Sequence, residues 1–144
     1  MANIWYLEDD HLDAEDVVPI LAKYGTVTHF STELEFRTAV QSLGKPDAVV
    51  LDQRVKWTDP SPHMHMPPEE VREEGYVNAG VRCFEELCRT FGDVPVIFYS
   101  AVDSVKIPDM LDARGVPRES YISLQKKSEL MELFNALCAL LRLN

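Results

Sequence analysis

A doubly wound α/β fold on a parallel sheet is predicted by three features of the 144-residue sequence. Five short apolar runs recur along it, of the kind that strands buried on both faces of a parallel sheet require. Stretches with helical periodicity lie between them, so strand and helix alternate. Length and composition agree: the chain matches one domain of about 150 residues, and 46% hydrophobic with 26% charged residues is an ordinary globular mixture.

The strands are predicted at Ile4–Leu7, Val27–Phe30, Ala48–Leu51, Val94–Tyr99 and Tyr121–Leu124. Five helices are expected. The first lies between Leu12 and Tyr24 and contains Pro19, so either it starts late under an Asp16 cap or it bends. The second follows a Thr32/Glu35 capping box and carries Phe36, Ala39, Val40 and Leu43 at helical spacing. The third carries Val81, Phe84, Leu87 and Cys88 and stops at Gly92; the fourth spans Val102–Arg114 around Pro108. The last is capped by Ser128 and lines Leu130, Leu133, Phe134, Leu137, Leu140 and Leu141 along one face. Between Arg54 and Ala79 no long periodicity survives Pro60, Pro62, Pro67 and Pro68. This is an elaborated loop within a single 1–144 domain, with one or two helical turns at Glu69–Glu74 stopped by Gly75.

Charge and composition exclude several functions. With 14 basic and 24 acidic residues the net charge is −10, which disfavours nucleic acid or an anionic membrane as partner. No apolar run approaches the ~20 residues of a membrane span, and the start of the chain lacks a secretory leader. Cys83, Cys88 and Cys138 sit in helical stretches as reduced core thiols, which favours a cytoplasmic setting. No Gly-rich phosphate loop follows a strand, so nucleotide binding is disfavoured.

The chemistry gathers at two strand ends. Glu8, Asp9 and Asp10 follow the first strand and Asp52 ends the third. Ligands of parallel α/β sheets bind beyond the carboxyl ends of the strands, so Glu8, Asp9 and Asp52 are expected to converge. Taken singly, such acids could equally cap helices and solvate strand ends. Converging carboxylates repel, and a hard cation relieves them; an all-oxygen donor set selects Mg²⁺.

Trp5-Tyr6-Leu7-Glu8-Asp9-Asp10, Val49-Val50-Leu51-Asp52, Pro95-Val96-Ile97-Phe98-Tyr99-Ser100-Ala101, and Tyr121 followed by Lys126 occur in that order across the chain. In this the sequence resembles the receiver domain of two-component response regulators, a flavodoxin-like fold. The resemblance implies strand order 2-1-3-4-5 and transfer of a phosphoryl group from a histidine kinase or phosphotransfer protein to Asp52. It implies Mg²⁺ held by Glu8, Asp9 and Asp52 with the Arg54 carbonyl, Ser100 against the phosphoryl group, and Lys126 paired with it. It also implies an acceptor rather than an enzyme, with a downstream protein partner at a face formed by the fourth helix, fifth strand and last helix.

Two departures stand out. An aromatic three residues before Lys-Pro is replaced by Tyr121 followed by Leu124, Gln125, Lys126 and Lys127; strand parity favours Lys126, and Lys127 competes with it. The 54–79 loop is about twenty residues longer than typical, and either covers the pocket, slows hydrolysis, binds a partner or is a surface excursion. Within it, His63-Met64-His65-Met66 reads as an exposed loop rather than a soft-metal site. Trp5 and Trp57 are expected to pack, Trp5 beside the pocket and Trp57 anchoring the loop; Tyr121 is a switch residue by the resemblance or a plain core tyrosine. Two alternatives remain: a phosphorylation-independent pseudo-receiver, suggested by Gln53-Arg54 and the ambiguous lysine, and a Mg²⁺-dependent phosphatase of the haloacid dehalogenase kind. The latter would need Asp-x-Asp after the first strand.

Overall fold

The computed structural model describes residues 2–62, 66–100, 106–115 and 121–125, the last as backbone only, together with 132, 135–137 and 139. Strands β1 (Ala2–Leu7), β2 (Gly25–Phe30), β3 (Ala48–Leu51), β4 (Val96–Ser100) and β5 (Tyr121–Gln125) form one sheet in the order β2-β1-β3-β4-β5. Every neighbouring pair is parallel. The helices are α1 (His11–Leu21), α2 (Glu33–Ser42), α3 (Glu69–Glu74), α4 (Ala79–Phe91) and α5 (Lys106–Ala113), with a 3-10 turn at Tyr76–Asn78. The short α3 is the pair of turns expected inside the long loop. Lys126, Lys127, Ser128, Cys138 and His63–His65 lie outside the described residues. Those of the last helix that are described (132, 135–137 and 139) are helical.

Alternation along the strands builds two cores. Trp5, Leu7, Val49, Leu51, Val96 and Phe98 face α2, α4 and α5 through Phe36, Phe84, Leu87 and Leu111. Ile4, Tyr6, Val50, Ile97 and Tyr99 face α1 through Ala14, Val17 and Leu21, joined by Leu137. Cys83 is buried and Cys88 half-buried, both free thiols, and burial pushes the Cys83 thiol up.

Three local readings are corrected. Helix α1 starts early, because Asp10 rather than Asp16 caps it, accepting from the Leu12 and Asp13 amides at 2.8 and 3.2 Å. Pro19 sits inside the helix near its end, where it removes one ladder N–H and its ring crowds the Glu15 carbonyl. At the α2 cap, Thr32 Oγ1 accepts from the Glu35 amide at 3.1 Å, and the Glu35 carboxylate returns to the Thr32 hydroxyl instead of its amide. Trp5 does not look onto the strand-end acids: it packs edge-on against Phe30, Phe36 and Phe91, with centroids 5.5, 5.7 and 6.2 Å away. Such aromatic pairs add about 0.5–1.5 kcal/mol each beyond area burial.

The long loop is pinned at both ends. Its first residues close the exposed N-terminus of α2, where the Glu33 and Leu34 amides donate to the Lys56 and Trp57 carbonyls at 2.9 Å. The Arg37 guanidinium lies 5.9 Å over the Trp57 ring, so Trp57 does anchor the loop. Helix α3 is held by ion pairs. Arg37 reaches Glu70 (3.1 Å), Glu33 (3.3 Å) and Glu86; Arg82 grips Glu33 through two hydrogen bonds (2.8 and 2.7 Å) and reaches Glu74 (3.2 Å); Arg114 meets Glu85 (2.6 Å) and Glu74. Burial works against the charge on Arg82, and the hydrogen bonds and charges of Glu33 and Glu74 outweigh it, raising its pKa. So α3 is clasped to α2, α4 and the residue after α5, while the start of the segment reaches the strand-end acids through the Lys56 amide, which donates to Asp9.

Candidate phosphoacceptor and cation site

Strand pairing alone brings the acids together. Leu7 and Leu51 are register partners, and the ladder continues with the Asp52 amide donating to the Leu7 carbonyl and the Glu8 amide to the Phe30 carbonyl, each at 3.0 Å. Residues 8, 9 and 52 therefore leave adjacent strands at the same level. One carboxylate oxygen from each of Glu8, Asp9 and Asp52 lies within 4.8 Å of those of the other two. Glu8 is 0% exposed and Asp52 3% exposed, while Asp9 is half-buried.

Each acid is oriented by backbone. Glu8 Oε2 accepts from the Asp10 amide and Asp9 Oδ2 from the Lys56 amide, both at 3.2 Å. Asp52 Oδ1 accepts from the Gln53 amide at 2.8 Å, and the same N–H reaches Ser100 Oγ at 3.4 Å. Ser100, buried at the end of β4, is thus brought beside the Asp52 carboxylate. The Asp10 side chain caps α1 and is not among the converging ligand atoms. The Arg54 side chain is exposed. Lys126 and Lys127 follow the end of β5, whose last residue Gln125 is in register with Ser100.

The donor chemistry fits Mg²⁺. Three oxygen ligands converge, two of them almost fully desolvated, and so dense a negative cluster is relieved by a small hard cation that keeps some of its water. Within the described residues no histidine or cysteine joins this group of ligand atoms, which is against a softer metal.

Several residues around the acids escaped sequence reasoning. Gln53 is fully buried and serves as the cap of α4 from a distant strand: its Oε1 accepts from the Val81 amide at 2.9 Å and its carbonyl from the Gly80 amide at 3.2 Å. Its Nε2 points at Met110 Sδ of α5, 3.8 Å away. Asn78, in the cap position, makes no side-chain cap; asparagine is itself a favoured cap type, so no local signal pointed to Gln53. Gln53→Ala is expected to destabilise the fold by about 1–2 kcal/mol, as for a lost cap with orphaned amides. A urea midpoint equal to that of the wild type would contradict this.

Tyr6 and His29 form a layer beneath Glu8. Their rings stack at 5.3 Å and 26°, and His29 Nε2 donates to the Glu8 carbonyl at 2.7 Å. Burial and the charges of Glu8 and Asp52 push the Tyr6 phenol far above its usual range.

No protein-family description and no curated protein matches this sequence. Solved structures do match in fold. A response regulator receiver protein from Sinorhizobium medicae WSM419 superposes with a TM-score of 0.70 at 20% identity, covering 99% of this chain and 95% of its own. A two-component response regulator from Clostridium difficile gives 0.70 at 14% identity, covering 99% and 98%. A BeF3-activated DrrB receiver domain gives 0.67 at 19% identity, again covering 99% and 98%.

Proposed function

With the receiver fold and its sheet order as premise, we propose that this chain is a phospho-acceptor receiver, taking a phosphoryl group on Asp52 in a Mg²⁺-dependent reaction. One observation carries the reading: Glu8, Asp9 and Asp52, from two separate strands, converge within 4.8 Å. Glu8, Asp9 and Asp52 hold the cation together with the Arg54 carbonyl. When bound, Mg²⁺ offsets the charge of acceptor and donor so that two anions can approach. The Gln53 N–H fixes the rotation of the Asp52 carboxylate, and positioning of this kind supplies much of a phosphoryl transfer. A carboxylate oxygen of Asp52 bonds to phosphorus as the bond to the donor's imidazole nitrogen breaks; the donor ring, protonated on its other nitrogen, takes the electron pair and leaves as neutral imidazole, and an acyl phosphate remains. Ser100 donates its hydroxyl to a phosphoryl oxygen and Lys126 pairs with another.

The partners on this reading are a histidine kinase or phosphotransfer protein and a downstream protein, and the chain is an acceptor rather than an enzyme. The modified state adds charge and new hydrogen bonds at Asp52 and Ser100, which biases a protein-contact face formed by α5, β5 and the last helix. In the test, the protein is incubated with acetyl phosphate and Mg²⁺ and its intact mass is measured. One added phosphoryl group is expected on the wild type and none on Asp52→Asn. The same adduct on the variant would refute the assignment.

A second reading, a module that signals without phosphate, is favoured by the 3% exposure of Asp52. Absence of any Mg²⁺ binding heat from the folded protein would put it ahead.

A further inference from the structure

We propose that Tyr6 is a positioning residue of the cation site, its phenol hydroxyl making its hydrogen bond only when the site is loaded. The inference rests on the Mg²⁺ reading above and extends it to a residue outside the acidic cluster. Tyr6 lies two residues before Glu8 on β1, hence on the same face, and is the register partner of Val50, two residues before Asp52. Its side chain therefore stands beneath the two buried acids. The residue is 0% exposed, and its hydroxyl has no hydrogen-bond partner among the described residues. The charges that act on it most are, in order, Glu8, Asp52 and Asp13.

A buried hydroxyl is nearly always satisfied, and one left without a partner is costly. A phenylalanine would fill the same core position without that cost. The ring is also held rather than merely packed. His29 stacks on it while donating to the Glu8 carbonyl, so ring and ligand are fixed to one scaffold. Groups that hydrogen-bond to ligands or waters of a metal site orient them and tune affinity. In this layer His29 is already engaged with the Glu8 carbonyl, and the Tyr6 hydroxyl is the group without a partner among the described residues.

The test is Tyr6→Phe in the full chain, titrated with MgCl₂ by calorimetry. The expected result is Mg²⁺ affinity weaker by about tenfold, the range for lost outer-sphere partners, with the metal-free melting temperature at or above that of the wild type. Equal affinity, within about twofold, would overturn the inference while leaving the acceptor reading standing. A wild-type protein that binds no Mg²⁺ would instead sink the acceptor reading before the variant is compared. If Tyr6→Phe does not fold, the wild type decides. Hydroxyl exchange of Tyr6, read from the deuterium isotope shift on its labelled ζ-carbon, slows on adding Mg²⁺. Unchanged exchange in a loaded protein overturns the inference.

Discussion

Glu33→Ala is expected to lower the stability of the chain by about 3 kcal/mol, the low end of the 3–5 kcal/mol for breaking a buried ion pair. The Arg82 side chain is 1% exposed and that of Glu33 0%. Removing the carboxylate leaves a desolvated guanidinium with Glu74 at 3.2 Å as its remaining partner, which keeps the cost from the upper end. Urea unfolding followed by circular dichroism measures it. A loss below about 1 kcal/mol, the scale of a surface pair, would show that the pair is not desolvated. Arg82→Lys should fail to substitute for the native arginine, since one ammonium cannot reproduce the two-pronged grip on Glu33.

Gly80→Ala should be of comparable size and should disturb the site directly. A Cβ at residue 80 would stand 2.4 Å from the Asp52 carbonyl oxygen, 2.5 Å from Gln53 Oε1 and 2.9 Å from Gln53 Cα. Two of those three atoms are backbone, so the helix or the strand end must move. Overpacking of this kind costs about 1–3 kcal/mol, and the backbone contacts place it at the top of that range. Because the displaced carbonyl belongs to Asp52, the acceptor we propose, Mg²⁺ affinity and phosphoryl uptake should fall together with the melting temperature. Wild-type stability with unchanged uptake would contradict the close packing of α4 on β3.

The sheet was legible because its information is local and periodic. Apolar runs such as Val49-Val50-Leu51 have few other places to go, and acids directly after two of them meet wherever the strands are neighbours. Glu8, Asp9 and Asp52 followed from that geometry, whereas Ser100 came from the family resemblance. What stayed hidden depends on partners far away in the chain. Gln53 looks like any polar residue after a strand until its side chain is seen accepting from an amide at residue 81. Glu33 looks like an ordinary acid in a helix's first turn, favoured there by the helix dipole, and Arg82 like a charge interrupting an apolar face. Only their meeting, 49 positions apart, explains why both are buried. Tyr6 was hidden by the same rule that revealed its strand, because an aromatic inside an apolar run reads as core. The first helix was misjudged because Pro19 was weighed above Asp10, whose carboxylate caps the helix and takes no part in the cation cluster.

The Val55 amide donates to the Tyr76 carbonyl at 3.3 Å, so the long excursion leaves the body and returns to it through a narrow neck. Seen from the sheet, residues 58–75 are a side branch: strand order and spacing would be the same for a shorter or a longer one, since doubling a loop's length adds only about 0.6 kcal/mol of closure entropy. The arginines that receive the branch belong to the body. They retain Glu33, Glu85 and Glu86, so the branch plugs into a socket that does not depend on it. Such a cassette can be rewritten in length and sequence, and with it whatever it presents to other molecules, while the acids at the strand ends stay where they are.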